Sequence, residues 1–242
     1  MEEIDTEADR RNRAALVSQI ATEVADTRSW LGKDELDPRV MAALRKVPRQ
    51  AFVAPERRVA AYENRPLPIG HGQTISQPYI VAVMTDMAAL EPGQKVLEVG
   101  TGCGYQAAVL AELGARVFSI EVVPAMAREA ADRLARLGYE TVKVRDGDGA
   151  RGWPEDSPFD AIVVTAAAFR RVPPALIEQL APGGRLIIPV ERAPRVMRYL
   201  GMAGEQDLLL LTKDAEGRVH ERTMLPVAFV PLVEGAGAAR QG

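Results

Sequence analysis

Residues 96 to 105 read VLEVGTGCGY. An apolar run ends there in Gly100, Gly102 and Gly104, and a helix-forming segment follows. Glycines at such a junction let the backbone turn sharply and approach a ligand closely. In open α/β sheets, ligands bind beyond the carboxyl ends of the strands, where strand order reverses. The dinucleotide fingerprint G-x-G-x-x-G is not met, because Tyr105 stands where its third glycine would be, which counts against NAD and FAD. No Gly-Lys-Ser/Thr ending of a P-loop follows either, which counts against ATP. Glu121 closes the next apolar run. An acidic side chain at that point accepts hydrogen bonds from both hydroxyls of a ribose, or is merely a surface carboxylate leading a helix. Asp148, in Gly147-Asp148-Gly149, has two readings as well: an acceptor for an adenine amino group, or an Asp-Gly turn.

A second polar cluster, Gln73, Thr74, Ser76 and Gln77, precedes Pro78. Serine just ahead of a helix is ordinarily an N-cap. A helix start also attracts anions, so a carboxylate substrate would fit there. The pattern alone leans to the cap. Cys103 inside the glycine loop reads as a small space-filler. His71 falls in a loop and His220 on a water-facing strand, and neither has a triad-like partner in the sequence. One cysteine and two distant histidines give no spacing for a metal site.

The elements that must position these residues follow from periodicity. Leu16, Ile20, Ala21 and Val24 recur at helix spacing, and Asp37-Pro38 opens a second helix with Val40, Met41, Leu44 and Val47 on its apolar face. Residues 62–77 carry two prolines and two glycines and read as a loop with an extended stretch. A helix restarts at Pro78 and runs to Leu90, with Ser76 or Gln77 as its cap. From Lys95 to Val190, five short apolar strands alternate with helices over residues 105–113, 124–137 and 173–180, and Pro182-Gly183-Gly184 reads as a turn. Such alternation means a mostly parallel sheet covered on both faces. After it, DLLLLTKD and VHERTMLPVAFVPLV are joined only by AEGR, so these strands must pair antiparallel. The expected fold class is α/β, Rossmann-like, finished by an antiparallel hairpin and preceded by a helical N-terminal region. Residues 1–9 and 235–242 read as loose ends.

The chain has 242 residues, enough for a sizeable core without disulfides. Its formal net charge of -3 gives no basic surface for nucleic acid. No window holds the roughly 18 apolar residues of a membrane span. The charged first residues do not form a secretory signal, which points to the cytoplasm.

The E-x-G-x-G-x-G run starting at Glu98 is the pattern of S-adenosyl-L-methionine-dependent methyltransferases. Around it stand, in order, LPIGHGQTISQPYIVAVMT, DGDGARGW, FDAIVVTAAA, LAPGGRLIIPV and FVPL, with VPRQAFV and AYEN upstream. Together these resemble the protein-L-isoaspartate O-methyltransferase family over about residues 40–232. GQTISQP and FVPL are the specific parts. The resemblance implies a class I methyltransferase fold as a single domain over residues 1–242, and it implies roles. The family's active-site serine falls on Ser76, which reverses the lean to a cap. Cofactor contacts fall on Gln73, Thr74, Ile75, Ser76, Glu98, Gly100, Thr101, Gly102, Gly104, Glu121, Asp148 and Gly149. Thr165, Ala166 and Ala167 lie beside the substrate. Glu191, where the family often has glycine, and Phe169-Arg170-Arg171 depart from the family pattern near the peptide side.

The implied reaction transfers a methyl group from S-adenosyl-L-methionine, leaving S-adenosyl-L-homocysteine, to the free α-carboxylate of isoaspartyl residues in damaged proteins and peptides. A carboxylate with a reference pKa of about 4 is ionised at neutral pH and needs no base. That accords with the absence of Cys/His/Asp machinery. Isoaspartyl proteins and peptides are the expected partners, with no nucleic acid, no membrane and a monomeric state. A related methyltransferase that esterifies an aspartate of one dedicated peptide during maturation would share every cofactor motif. The compact length and the FVPL end favour repair.

Overall fold

The structure, a computed structural model, describes residues 5–192 and 205–235. Thr6 starts the first helix, α1 (Glu7–Asp26), through a capping box. The Thr6 hydroxyl accepts the Asp9 N–H at 3.1 Å, and the Asp9 carboxylate accepts the Thr6 N–H at 3.0 Å. Arg13, buried on this helix, donates to the Asp5 carboxylate at 2.8 Å and to the Arg45 carbonyl at 2.6 Å. The looseness expected over residues 1–9 is therefore corrected for Asp5–Asp9, whose polar groups form a cap and an ion pair. Residues 1–4 and 236–242 lie outside the described residues. Helices α2 (Arg28–Leu31) and α3 (Pro38–Lys46) follow, and Asp37 caps α3 by accepting the Arg39 N–H, with Pro38 at the first position.

The loop expected over residues 62–77 contains a small antiparallel hairpin, β1 (Leu67–Gly70) and β2 (Gln73–Ile75). His71 and Gly72 form its tip with φ of +51° and +69°, the handedness that two-residue hairpin turns require. Helix α4 (Pro78–Ala88) comes next, and neither Ser76 nor Gln77 caps it through a side chain. Asn64 does so from a distance, its Oδ1 accepting the Tyr79 N–H at 3.0 Å while its amide donates to Glu23 of α1.

From Lys95 the predicted alternation holds: β3 (Lys95–Val99), α5 (Tyr105–Glu112), β4 (Arg116–Glu121), α6 (Pro124–Arg136), β5 (Lys143–Asp146), β6 (Phe159–Val164), β7 (Ala168–Phe169), α7 (Pro174–Glu178) and β8 (Leu180–Glu191). Strands β9 (Gln206–Lys213) and β10 (Val219–Val227) complete the sheet in the order β10-β9-β8-β6-β3-β4-β5, with the two-residue β7 beside β8. Strand β9 is antiparallel to both neighbours, and the other pairings in this sheet are parallel. The chain walks from β3 outward to β5 and then returns past β3 to β6. Strand order therefore reverses between β3 and β6, where open sheets form their binding crevice.

Alternation along β3 divides the core. Val96 faces the apolar layer built by α1 to α6, whereas Leu97 and Val99 face a second layer with Phe118, Trp153, Phe159 and Leu176 of α7. Two expectations change. Pro182-Gly183-Gly184 is a bulge inside β8 instead of a turn between elements: Phe159 pairs with Leu180, yet Ala161 pairs with Arg185. Strand β10 stops at Val227, and the segment beyond it returns to the carboxyl end of β6, where Pro231 bridges Ala167. Among the described residues no helix is long and apolar enough to cross a membrane.

The capping box gives a direct test of order at the N-terminus. Thr6→Ala should lower unfolding stability by about 1 kcal/mol with the denaturant slope unchanged, the usual cost of losing a cap. Equal stability of variant and parent in urea titrations would show that this turn is not formed.

Candidate active site

Beyond the carboxyl ends of β3 and β6 lie two adjoining hollows. The first is walled by the glycine loop at Gly100 and Gly102, by Glu121 and Val122, by Gly149, and by Pro231 to Val233. The second is walled by Ser76, Gln77 and Ile80 on one side and by Pro226 to Val230 on the other. Thr74, Thr165 and Val230 belong to both, so the hollows meet at a neck of two threonines and a valine.

The loop after β3 takes its shape from its glycines. Gly100, Gly102 and Gly104 have φ of +97°, +54° and +91°, values that side-chain-bearing residues rarely adopt. A Cβ on Gly100 would stand 2.4 Å from Thr165 Oγ1, so backbone and threonine are in direct contact. The Thr165 hydroxyl donates to the carbonyls of Val99 (3.1 Å) and Gly100 (2.7 Å), while the Gly100 and Thr101 amides donate to the Ile120 carbonyl at 2.8 and 3.2 Å. Glu121 accepts the Gly102 N–H at 2.8 Å and the Val123 N–H at 3.1 Å, and its carboxylate edges the first hollow. A Cβ on Gly149 would lie 2.3 Å from Val99 Cγ1, so only glycine lets that loop close against β3.

The remaining predicted residues divide into those at the hollows and those behind them. Gln73, Thr74 and Ala166 line the first hollow, and Ser76 lines the second. The Ser76 side chain makes no hydrogen bond to the described residues and is half-buried, facing the second hollow just ahead of the α4 N-terminus. Ile75 and the Thr101 side chain are buried behind the loop, and Thr101 Oγ1 lies 2.6 Å from Ser119 Oγ. Gly104 is the N-cap of α5, packed on Leu134. Asp148 does what an Asp-Gly turn does: it accepts the Ala150 N–H at 3.0 Å and also the Gly235 N–H at 2.8 Å, while Gly149 lines the hollow. Ala167 lines neither hollow. Its main chain docks the C-terminal segment, with its N–H on the Val230 carbonyl and its carbonyl receiving the Leu232 N–H, both at 2.8 Å.

Glu98 is fully buried and lies apart from the first hollow. It faces a recess behind the loop with Cys103, Tyr105 and Gln106, and this recess also touches Thr74, Ser76 and Thr165. Ser119 donates to its Oε2, whereas Glu98 Oε1 and Gln106 Oε1 have no hydrogen-bond partner. Burial, with some help from the nearby Glu121 charge, pushes the Glu98 pKa up to about 8. Burial likewise raises the Cys103 thiol, which leaves it an inert filler. His220 sits exposed on β10, 3.0 Å from Asp214 across the hairpin. No local pattern marks Val122 or the wall from Val230 to Val233; the only sequence signal for that wall is the FVPL run.

The Glu98 shift has a sign that can be measured. The folded protein holds a proton there that the unfolded chain releases above about 4.5, so stability falls as pH rises from about 4.5 to about 8 and levels off beyond. Glu98→Gln keeps the shape without the charge. Its melting temperature should gain on the parent across that window, with the largest gap above about pH 8. Parallel melting curves would show a carboxyl that ionises freely.

Comparison with known proteins shows the family. The model of a family described as protein-L-isoaspartate(D-aspartate) O-methyltransferase matches residues 31–237. The chain is 55% identical to protein-L-isoaspartate O-methyltransferase 2 of Syntrophobacter fumaroxidans over 223 residues, covering 92% of this chain and 86% of that one. It is 54% identical to protein-L-isoaspartate O-methyltransferase 2 of a Polaromonas species, covering 90% and 98%. A solved protein-L-isoaspartate O-methyltransferase superposes with a TM-score of 0.73 at 29% identity, covering 90% of this chain and 65% of that longer one. A Plasmodium falciparum structure described as a beta-aspartate methyltransferase in complex with S-adenosyl-L-homocysteine shares the fold, with a TM-score of 0.69 at 24% identity over 88% of this chain and 98% of that one. With the glycine loop, Glu121 and Ser76 arranged around one pair of hollows, and with a match that runs from α2 through the C-terminal wall, the chain belongs to the protein-L-isoaspartate(D-aspartate) O-methyltransferase family.

Proposed function

We propose that this chain methylates the free α-carboxylate of L-isoaspartyl residues in damaged proteins and peptides, with S-adenosyl-L-methionine as methyl donor. The observation that carries the reading is the neck at Thr74, Thr165 and Val230, where a hollow suited to a nucleoside meets a hollow bearing an unengaged serine. The residues present fit the cofactor. Glu121 offers a carboxylate to ribose hydroxyls at the edge of the first hollow, and Gly100, Gly102 and Gly149 keep its floor free of side chains. The recess behind the loop holds two oxygens without partners, on Glu98 and Gln106; the Gln106 carbonyl, and the Glu98 carboxyl through its carbonyl oxygen or on giving up its proton, can accept from an ammonium group. Gln73, Thr74, Ile75 and Thr101 shape the surrounding walls. Asp148 retains spare acceptor capacity for an adenine amino group, since an ionised carboxylate offers about four lone-pair sites.

When bound, S-adenosyl-L-methionine supplies an electrophilic methyl that a carboxylate oxygen takes in a single displacement. The protein's part is alignment. A carboxylate is already the nucleophile at neutral pH, so no side chain has to remove a proton. Orientation alone can supply roughly 7 to 11 kcal/mol. Ser76 holds one carboxylate oxygen by donating its hydroxyl and leaves the other free to react. The N-terminal end of α4 adds a favourable field for the anion. Thr165 borders the substrate hollow at the neck, Ala166 lines the cofactor hollow beside it, and Ala167 seats the C-terminal wall. The methyl ester is an activated acyl group: the neighbouring backbone nitrogen attacks its carbonyl, methoxide leaves as methanol, and the resulting succinimide returns some normal aspartate on hydrolysis. The cytoplasmic location and the monomeric state belong to the same proposal.

Labelled methyl transfer to matched peptides tests the reading. Isoaspartyl peptides of unrelated sequence should all be labelled and their aspartyl counterparts should not. Labelling of one aspartyl peptide only would favour the maturation enzyme, and no labelling of any peptide would overturn both.

Ser76→Ala separates alignment from capping. Because Asn64 already occupies the Tyr79 amide, the substitution should leave the melting temperature nearly unchanged. Turnover should fall on the order of a hundredfold, as misplacement by about 1 Å can do, with cofactor affinity affected less. A variant that melts earlier yet turns over at the parental rate would return Ser76 to the cap.

A further inference from the structure

The wall shared by both hollows has no strand of its own. Strand β10 ends at Val227, opposite Gln206, and beyond it Ala228 and Phe229 line the second hollow, Val230 lines both, and Pro231 to Val233 line the first. Gln206, buried at the start of β9, holds this segment with its side chain. The Phe229 N–H donates to Gln206 Oε1 at 2.7 Å, and Gln206 Nε2 donates to the Phe229 carbonyl at 3.1 Å. That exchange is the one a residue on a neighbouring strand makes with its main chain. The Gln206 main chain is itself fixed in the sheet, paired with Glu191 on β8 and with Val227 on β10.

The anchors alternate as extended backbone requires. Phe229 turns its main-chain groups toward Gln206, and Val230 and Leu232 turn theirs to the opposite side, toward Ala167. The position of Val230 at the neck is thus set from both sides, by Ala167 and by Gln206. A main-chain bridge such as Ala167 survives most substitutions, whereas a side-chain bridge does not.

We propose that Gln206 is a positioning residue for methyl transfer: it lines neither hollow, yet by binding the Phe229 main chain it sets the wall against which both cofactor and substrate carboxylate are aligned. This rests on the function proposed above. A residue of purely structural importance would change stability alone. A positioning residue must also change cofactor affinity and turnover in protein that remains folded.

The test uses Gln206→Leu, which loses both bonds, and Gln206→Glu, which keeps the acceptor for the Phe229 N–H and loses the donor. In Gln206→Leu the S-adenosyl-L-homocysteine dissociation constant should rise about tenfold, as losing one net hydrogen bond would do, and turnover on an isoaspartyl peptide should fall by at least that factor. Gln206→Glu should fall between Gln206→Leu and the parent in both. Amide hydrogen exchange over residues 228–233, which needs no ligand, should quicken in the same order. Unchanged exchange in Gln206→Leu, or a lowered melting temperature with parental affinity and turnover, would overturn the positioning role. Failure of the parent chain to bind S-adenosyl-L-homocysteine would instead overturn the functional reading on which it rests.

Discussion

The site depends on one close contact, Gly100 against the Thr165 hydroxyl. It lies where strand order reverses, between the carboxyl ends of β3 and β6. Thr165 ties the two ends together by donating to the Val99 and Gly100 carbonyls. A side chain on Gly100 would collide with that hydroxyl, and its φ of +97° already disfavours one. With this contact in place, the loop can present its amides to Ile120 and Glu121, the floor of the first hollow stays bare, and Thr165 becomes part of the neck. Lengthen it, and the hollows separate or fill.

Among the described residues, no base is hydrogen-bonded to the Ser76 side chain to take its proton. That matches a reaction whose nucleophile is ionised beforehand. The capping of α4 by Asn64 is consistent with the role proposed for Ser76. A serine engaged with its own helix could not hold a carboxylate oxygen as well, and the distant asparagine, pinned by Glu23, leaves the Ser76 hydroxyl unengaged. Behind the loop, burial keeps Glu98 protonated near neutral pH while Glu121, bonded to two amides, faces the hollow. Two carboxyl groups of similar sequence standing are therefore held in different surroundings, one buried behind the loop and one at the edge of the hollow.

What the sequence makes legible is local or periodic. The β3 strand with its glycine loop, the alternation up to β8, the closing hairpin and the Asp37-Pro38 helix start all rest on patterns within a few residues. Ser76 and the GQTISQP run are legible only through resemblance. What escapes is set by contacts across long sequence separations. Asn64 reaches Tyr79, and Ala167 and Gln206 fix the wall at Val230. The inward turn of Glu98 and Thr101 depends on Ser119 of the next strand. Pro182 to Gly184 looks like a turn because its composition is that of one, yet pairing on both sides draws it into β8 as a bulge. The charged residues before α1 look loose until Arg13 and the capping box give them partners.

In the proposed reaction the methyl crosses from one hollow to the other at the neck formed by Thr74, Thr165 and Val230. A crystal structure of the chain with S-adenosyl-L-homocysteine measures this most directly. The adenosyl group should lie against Glu121 and Gly149, with the sulfur at the neck and its open side toward the Ser76 hydroxyl. An adenosyl group lodged in the Ser76 hollow, or a sulfur turned away from the neck, would contradict it.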